Sequence, residues 1–259
     1  MMDLNALRQR LDAERRTLLR RGEMVEVLRH LTRVQRDTQH EISFASLPSA
    51  GADAIIAEQI EHYRNLNTPV EWKVYAHDQP HDLRHRLIAN GFSRGPEEAV
   101  LVLDLRNPPE WISAAAADAP VVRVTTDDQV KMFRDAAAEI FAKDYDWTAG
   151  QLRYGIAARS TEHLGYIAIE GNHAISIGRL YTHHDRHFGG LYGGGTRATH
   201  RGRGLYRAVV AARARDAIEL GARYLIVDAL PTSQPILRRL GFIELSKTWP
   251  CTWHPGSER

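Results

Sequence analysis

Two glycines set between arginines, just ahead of an alanine-rich segment, are the residues of this chain best suited to holding a phosphate. They lie in Thr199–Tyr206, which reads Thr-His-Arg-Gly-Arg-Gly-Leu-Tyr. The composition of Leu205–Leu220 predicts a helix that ends at Gly221, because alanine favours helices and glycine suits the left-handed position after a helix end. A helix start gathers unpaired N–H groups and positive potential. The loop is therefore predicted to bind a phosphate-bearing ligand, with Arg201 and Arg203 adding positive charge.

A glycine-rich stretch leads into this loop. Phe188–Thr196 reads Phe-Gly-Gly-Leu-Tyr-Gly-Gly-Gly-Thr, which predicts a strand with a bulge or a close backbone approach. Taken alone, a glycine pair before a helix is more often a tight turn with solvated arginines, and the order of the neighbouring elements is what favours a ligand site. A dinucleotide-binding fingerprint fits less well, because Gly202-x-Gly204-x-x-Arg207 lacks the third glycine and does not follow the first strand of a βαβ unit.

These residues resemble the GNAT superfamily of acyl-CoA-dependent N-acyltransferases. The resemblance is carried by Arg201–Tyr206, by the glycine-rich strand before it and by the closing Leu240–Phe242. The family loop is commonly R-x-x-G-x-G/A, and Tyr206 departs from it at the last place, which falls in the first helical turn. The resemblance covers the chain well from Pro120 onward and the preceding residues more faintly.

The resemblance implies an N-acetyltransferase that moves an acetyl group from acetyl-CoA to a primary amine of a small molecule or a peptide by direct attack. Longer acyl groups stay open, and no metal is expected. The family's cofactor contacts carry over to these positions of the chain: Gly194, Gly195, Thr196, Arg201, Gly202, Arg203, Gly204, Leu205 and Tyr206. Three further arginines of the helix are expected to be solvated, with one of them able to reach the cofactor's 3′-phosphate: Arg207, Arg213 and Arg215.

The catalytic groups are less well marked. Many family members place a tyrosine four residues before the Gly-Phe pair to protonate the departing thiolate, and this chain has Leu237 there. Ser233 or an ordered water is a candidate substitute, although Ser233 is also suited to capping a helix. Asp228 and Asp146 are candidates for the base; the first could instead cap a turn, and the second could belong to a solvated acidic loop.

A second function class stays open at this stage. The chain could be a non-catalytic acyl-CoA-binding or regulatory interaction module. Leu237 and a first half without an arginine–glycine loop favour that alternative.

The order of elements around the loop recurs earlier in the chain. A strand at Val70–Tyr75, Pro80, a short helix and Gly91-Phe92 match a strand at Tyr224–Val227, Pro231, a short helix and Gly241-Phe242. This match predicts an internal duplication. The predicted fold is α/β (α+β), with tandem GNAT-like domains that each contain a mixed, mostly antiparallel sheet flanked by helices. The predicted boundaries are 1–106 for a degenerate N-terminal domain, 107–120 for a linker and 121–259 for the acetyltransferase domain.

Local patterns add three structural expectations. The segment Glu23–Val34 has the β-branched character of a strand. Asp53 is placed to cap the helix that follows it, and either Thr125 or Thr126 is placed to cap the helix containing Val130.

The composition limits the classes of binding partner and the compartment that are expected. The 34 basic and 32 acidic residues nearly cancel to a net charge of +2, so nothing draws the whole chain to nucleic acid. The single cysteine, Cys251, excludes an intramolecular disulfide and is more consistent with an ordinary thiol than with a nucleophile. No apolar run approaches the length of about 20 residues that spans a bilayer, and the N-terminus has no apolar secretion core. A cytoplasmic protein without nucleic-acid or membrane partners is expected.

The histidine-rich segment His183–His187, with His200 nearby, is the remaining motif with metal-binding residue types. Its spacing matches no closed zinc pattern. An exposed turn between strands is therefore the preferred interpretation.

Overall fold

The computed structural model describes residues 2–17, 23–36, 39–113, 120–183 and 186–256. The chain forms two compact units, one made of Met1–Leu101 with Asp228–Arg259 and the other of Val102–Val227. The boundaries predicted at 106 and 121 come from the repeat in the sequence and not from the compactness of the folded chain, so they stay a prediction. Residues 114–119 of the predicted linker lie outside the described residues, and a short 3-10 turn occupies Glu110–Ile112 before them.

The described helices and strands have the following bounds in chain order: α1 (Leu4–Thr17), β1 (Glu23–Val27), β2 (Leu31–Arg36), β3 (Gln39–Ala45), α2 (Ala52–Asn65), β4 (Val70–Tyr75), α3 (Leu83–Ala89), β5 (Ser93–Arg94), β6 (Glu98–Asp104), β7 (Val121–Arg123), α4 (Asp127–Phe141), α5 (Asp146–Ala157), β8 (His163–Glu170), β9 (His173–Tyr181), β10 (Phe188–Thr196), α6 (Leu205–Glu219), β11 (Tyr224–Ala229), α7 (Gln234–Arg239) and β12 (Ile243–Trp253).

The first unit is built on strands in the order β1-β2-β3-β4-β12, with β5 also paired to β12. The pairs are antiparallel except that β3 runs parallel to β4. In β4, Val70, Trp72 and Val74 alternate into the core, as expected for a strand with one apolar face. The last strand of the chain, β12, pairs with β4 so that Cys251 lies opposite Trp72. The C-terminal strand therefore completes the core of the N-terminal unit.

The second unit contains β7, β8, β9, β10 and β11 in sheet order. The first four are antiparallel, and β10 runs parallel to β11. Ile177 of β9 packs in a core with Phe133 of α4, whereas Gly178, the next residue, lies against Arg213 of α6. Because successive strand residues point to opposite faces, α4 and α6 cover opposite faces of this sheet.

The fold prediction of mixed, mostly antiparallel sheets flanked by helices is confirmed in both units. Among the described helices, none has both the length and the apolar character required to cross a membrane.

Two of the local expectations are wrong in detail. Glu23–Val34 is divided into β1 and β2, because the chain reverses at 28–30, where Leu28 donates its N–H to the carbonyl of Leu31 at 2.9 Å. Asp53 does not cap α2; the N-cap is Gly51 with a left-handed backbone, and Asp53 lies inside the first turn. The cap of α4 is confirmed as Thr126, which forms a capping box with Gln129.

Candidate functional site

The loop between β10 and α6 carries two glycines with left-handed backbone. Gly202 has φ of 80° and Gly204, the N-cap of α6, has φ of 76°. Only glycine adopts this region without a steric penalty. Residues 201–204 are exposed, and a methyl group added at Gly202 would meet open space. The first N–H groups of α6 have no partner within the helix, so this loop presents backbone donors to any anion that approaches.

The two arginines of the loop differ in what they hold. Arg201 donates from Nε to the carbonyl of Thr196 at 3.3 Å. Arg203 forms two hydrogen bonds to Glu170, at 3.1 and 3.0 Å, and His200 lies 3.0 Å from the same carboxylate. Glu170 therefore takes up part of the positive charge of the loop, while Arg201 makes no ion pair among the described residues.

The sheet opens beside this loop. Strand β10 pairs with β11 at three positions, Phe188–Gly190 with Tyr224–Ile226. In the described sheet, residues 191–196 continue along β9 without a partner on the β11 side. One edge of β10 beyond Gly190 is therefore open to a ligand.

A bulge interrupts β10 on its other side. Tyr192 lies opposite Arg179 and Gly195 opposite Ile177, which leaves Gly193 and Gly194 facing the single residue between them on β9. Gly193 has φ of 52°, the left-handed geometry that a glycine supplies in such a bulge. Because a bulge leaves its extra residue out of the ladder, the backbone of this segment is not fully paired with β9.

The end of β10 is held in place by hydroxyl groups. Thr196 is buried, and its Oγ1 lies 2.8 Å from Oγ of Ser176. Ser176 also lies 3.0 Å from the carbonyl of Gly195. These contacts keep the strand that precedes the loop in one register.

The backbone geometry of this region is compatible with an acyl-CoA. The left-handed glycines open the start of α6, the edge of β10 is unpaired, and the strand that ends at Thr196 leads directly from one to the other.

Comparisons with solved structures identify the fold. A GCN5-related N-acetyltransferase from Kribbella flavida matches with a TM-score of 0.69 and 14% identity, over 98% of this chain and 94% of that one. The chain has the GCN5-related N-acetyltransferase (GNAT) fold. A GNAT protein from Sphaerobacter thermophilus matches with a TM-score of 0.59 and 14% identity over 89% of this chain and 82% of that one. At such identities the likeness is one of fold.

The tandem arrangement has a counterpart as well. A tandem GNAT protein from the clavulanic acid biosynthesis pathway, solved without acetyl-CoA, matches with a TM-score of 0.60 and 15% identity, covering 88% of this chain and 79% of that one. No family model matches the sequence, and no curated protein matches it. The GNAT resemblance carried by Arg201–Tyr206, and the tandem arrangement inferred from the repeated order of elements, are thus confirmed by the fold.

Asp146, one candidate base, lies at the first position of α5. Its side chain is 72% exposed and lies 3.5 Å from Arg134. Its N–H donates to Asp144 at 2.6 Å, so this acidic loop is folded on itself. Asp146 is in the second unit, as is the loop Arg201–Tyr206.

Asp228, the other candidate base, belongs to the first unit. It does not stand alone: Nζ of Lys73 lies 2.8 Å from Asp228 and 3.1 Å from Glu98. Burial acts to lower the pKa of Lys73, but the negative charges of Asp228 and Glu98 outweigh it, and the net pKa is raised. Burial also raises the pKa of Glu98. One ammonium is thus shared by two carboxylates, of which sequence reasoning found only Asp228.

Ser233 and Leu237 lie at the start of α7 and within it. The hydroxyl of Ser233 makes no cap; it donates back to the carbonyl of Leu230 at 3.1 Å. Leu237 is fully buried, so it belongs to the core. The phenol that many GNAT enzymes carry at this position is absent here.

The expectation that the arginines of α6 are solvated is wrong for Arg213. This side chain is 1% exposed, whereas Arg207 is exposed and Arg215 donates to the carbonyl of Ile112 at 2.6 Å. Arg213 fits because its guanidinium occupies the space that a side chain at Gly178 would need. A glycine inside a strand, such as Gly178, indicates a close approach by another group. The sequence pattern of α6 gave no reason to connect that glycine with Arg213.

The metal-binding alternatives gain no support from contacts. Residues 184 and 185 of the histidine-rich segment lie outside the described residues. Within the described chain, Asp12, His77 and Asp78 are close enough to share an ion. However, the guanidinium of Arg15 lies 2.7 Å from Asp12 and 3.1 Å from Asp78, and it already supplies the positive charge there.

Proposed function

We propose that the chain is an N-acetyltransferase that transfers an acetyl group from acetyl-CoA to a primary amine of a small molecule or a peptide. One observation carries the proposal: left-handed Gly202 and Gly204 open α6 directly after a bulged strand whose edge is unpaired. Anion binding at a helix start explains the loop, and an acyl thioester explains why the strand must also be open.

The cofactor would be held mainly by backbone. The N–H groups at the start of α6, around Gly202, Gly204 and Tyr206, would receive the diphosphate, with Arg201 adding charge. Gly194, Gly195 and Thr196 would offer main-chain groups to the pantetheine arm and the thioester carbonyl. Small residues suit this task, since a methyl at Gly195 would lie 2.6 Å from Ile140 and force the strand away.

The reaction itself requires little of the side chains. The amine nitrogen attacks the thioester carbon, the carbonyl pair moves onto oxygen, and on collapse the carbon–sulfur bond breaks with release of the thiolate. Backbone N–H groups of the bulge would stabilise the oxyanion. Asp228 and Asp146 are the proposed candidates for accepting the amine's proton, and Ser233 or water for protonating the thiolate.

A binding measurement and a thiol-release assay test the proposal. At 100 times its Kd, acetyl-CoA should contribute about 2.7 kcal/mol of stability, read as a rise in the unfolding midpoint. A panel of primary amines, including polyamines, amino sugars and peptide amino termini, should contain members that accelerate thiol release from acetyl-CoA. Absence of any acetyl-CoA binding would refute the proposed function.

A non-catalytic acyl-CoA-binding or regulatory module is the second candidate. The buried Leu237 favours it, because no phenol is present to protonate the thiolate. General acid help contributes about 10²–10⁴-fold, so its loss slows a reaction without preventing one. Tight acetyl-CoA binding with no amine-dependent thiol release would establish this alternative.

The proposed location is the cytoplasm. The single cysteine, which is buried, supports this location, because a fold without an intramolecular disulfide suits a reducing compartment.

A further inference from the structure

Arg213 carries a buried positive charge that forms no ion pair with a carboxylate among the described residues. Its Nε donates to the carbonyl of Val209 and its Nη1 to the carbonyl of Arg179, both at 3.2 Å. Its Nη2 is buried without a hydrogen-bond partner in the described part of the chain. Burial lowers the pKa of Arg213, Tyr206 and Tyr166 only partly oppose this, and no carboxylate is among the groups that shift it. An arginine nevertheless stays protonated, so the described part of the fold keeps a cation without a carboxylate partner in its interior.

This cation lies directly beneath the bulge of β10. A methyl group at Gly178 would be 2.7 Å from Cζ of Arg213, and one at Gly194 would be 3.2 Å from its Nη2. Gly178 is the residue of β9 that faces the two bulged glycines, Gly193 and Gly194. Both strands therefore have a glycine at this position, and the guanidinium of Arg213 occupies the space that their side chains would fill.

Tyr206 completes the contact. Its ring edge would be 3.1 Å from a methyl at Gly194. Burial raises the pKa of Tyr206, and the neighbouring charge of Arg213 only partly offsets this. The phenol, the cation and the bulged backbone thus form one group that joins the first turn of α6 to β10.

A buried unpaired charge is costly, and an apolar side chain of similar length would remove that cost. A buried positive charge would, however, stabilise a negative charge that develops nearby. In the proposed reaction, negative charge develops on the thioester oxygen as the amine attacks, at the backbone of Gly193–Gly195.

We propose that Arg213 is a positioning residue for acyl transfer, acting through the Gly193–Gly194 bulge to favour the developing oxyanion. This inference rests on the proposed function. The guanidinium does not touch the reacting atoms; it holds the bulge from below and supplies a fixed positive potential in a water-poor environment.

The test compares Arg213→Met and Arg213→Lys with wild type, using acetyl-CoA and the fastest amine of the panel, or hydroxylamine if none is faster. Removing a direct oxyanion donor costs about 10²–10³ in kcat, and a charge one layer behind should cost less, about 10- to 100-fold. Arg213→Met should show that fall in kcat with KM for acetyl-CoA within about threefold. Its unfolding midpoint should not drop, since an unpaired charge has been removed. Arg213→Lys should recover part of the lost kcat.

The matched control is Arg153→Met, which removes a solvated arginine of the same unit that pairs with Asp127. It should leave kcat unchanged. Should Arg213→Met fail to fold, Gly178→Ala displaces the guanidinium by another route and should lower kcat with acetyl-CoA binding retained.

Unchanged kcat in Arg213→Met, or in Gly178→Ala where that variant must decide, would overturn the inference. So would a parallel loss of kcat, cofactor binding and stability that lysine fails to recover, because that pattern belongs to a structural role. If wild type binds acetyl-CoA and releases thiol, such results defeat this inference alone. If wild type binds no acetyl-CoA, the proposed function fails and this inference fails with it.

Discussion

Several glycines of the second unit hold positions where a single methyl group would collide with a neighbour. At Gly178 the neighbour is Arg213, at 2.7 Å, and at Gly195 it is Ile140, at 2.6 Å. Overpacking of this kind typically costs about 1–3 kcal/mol. The lack of side chains at these glycines therefore allows close packing at Gly178 and also at Gly195, in the strand proposed to receive the thioester.

Gly204→Glu should abolish acetyl-CoA binding, because it places bulk and negative charge at the helix start that is proposed to receive the diphosphate. The acetyl-CoA-dependent rise in the unfolding midpoint should disappear. Gly221→Glu is the matched control: it has the same kind of backbone, with φ of 85°, open surroundings, and lies just beyond the opposite end of α6. Equal acetyl-CoA affinity in the two variants would contradict the proposed loop.

Asp228→Asn should lower kcat by at least about 100-fold if this carboxylate accepts the amine's proton. Glu98→Gln is the matched control, because it removes the other carboxylate partner of Lys73 without removing the proposed base. A similar kcat in Asp228→Asn and wild type would exclude Asp228 and leave Asp146 as the candidate to be changed next.

Cys251 should be unreactive in the folded protein. It is fully buried, and burial raises the pKa of its thiol to about 11. At pH 8 about one molecule in a thousand would carry the reactive thiolate. Titration with a chromogenic disulfide should detect no thiol in the native protein and one equivalent in denaturant. Rapid modification of the native protein would contradict the packing of β12.

At the scale of single elements, α1 shows how a surface helix is fixed to a sheet. Leu7 and Leu11 are buried, and Asp12 lies 3.0 Å from Nε2 of His77. Nδ1 of His77 in turn lies 2.8 Å from the hydroxyl of Ser246 on β12. The helix is thus tied by polar contacts to two other parts of its own unit.

Asp12→Asn should destabilise the protein at neutral pH by about 1.5–3 kcal/mol, the range for a hydrogen bond to a charged group. Burial acts to raise the pKa of Asp12, but the hydrogen bond with His77 and the charge of Arg15 outweigh it, so the pKa is lowered from 3.8. A lowered carboxyl pKa contributes stability above the unfolded value that is lost as pH falls through the folded value.

The difference in urea midpoint between wild type and Asp12→Asn should therefore be constant near neutrality and shrink below about pH 4. Wild type is the control at each pH. A difference that stays the same down to pH 3 would show that the charge of Asp12 does not matter to the attachment of α1.

At the scale of the whole molecule, the N-terminal unit depends on the end of the chain. Cys251 and Trp253 of β12 belong to the same core as Trp72 and Val74 of β4. These residues are far apart in sequence, so their contact is established only when the chain has folded.

A fragment of residues 1–106, the predicted N-terminal domain, should therefore fail to unfold cooperatively, because it lacks β12 and exposes one edge of β4. Circular dichroism during heating measures this. The same fragment with residues 228–256 attached through a flexible glycine–serine linker should regain a cooperative transition. A cooperative transition in the fragment alone would show that residues 1–106 fold independently of β12.

Local pattern was enough to predict the loop Arg201–Tyr206, the glycine-rich strand before it and the helix after it. Glycine, alanine and the order of neighbouring elements act over a few residues, so their consequences can be inferred without a structure. The resemblance to GNAT enzymes followed from the same short segments and is confirmed by the fold. The roles of the individual site residues stay predictions.

Tertiary structure alone decided which distant groups meet. Arg213 is buried because Gly178 and Gly194, on two other elements, leave room for it, and Asp228 shares Lys73 with Glu98. No pattern within one element contains such information, because burial and charge depend on what the rest of the chain places alongside. The sequence by itself predicted where an anion could bind, and the packing of the sheets determined which charges surround the candidate catalytic residues.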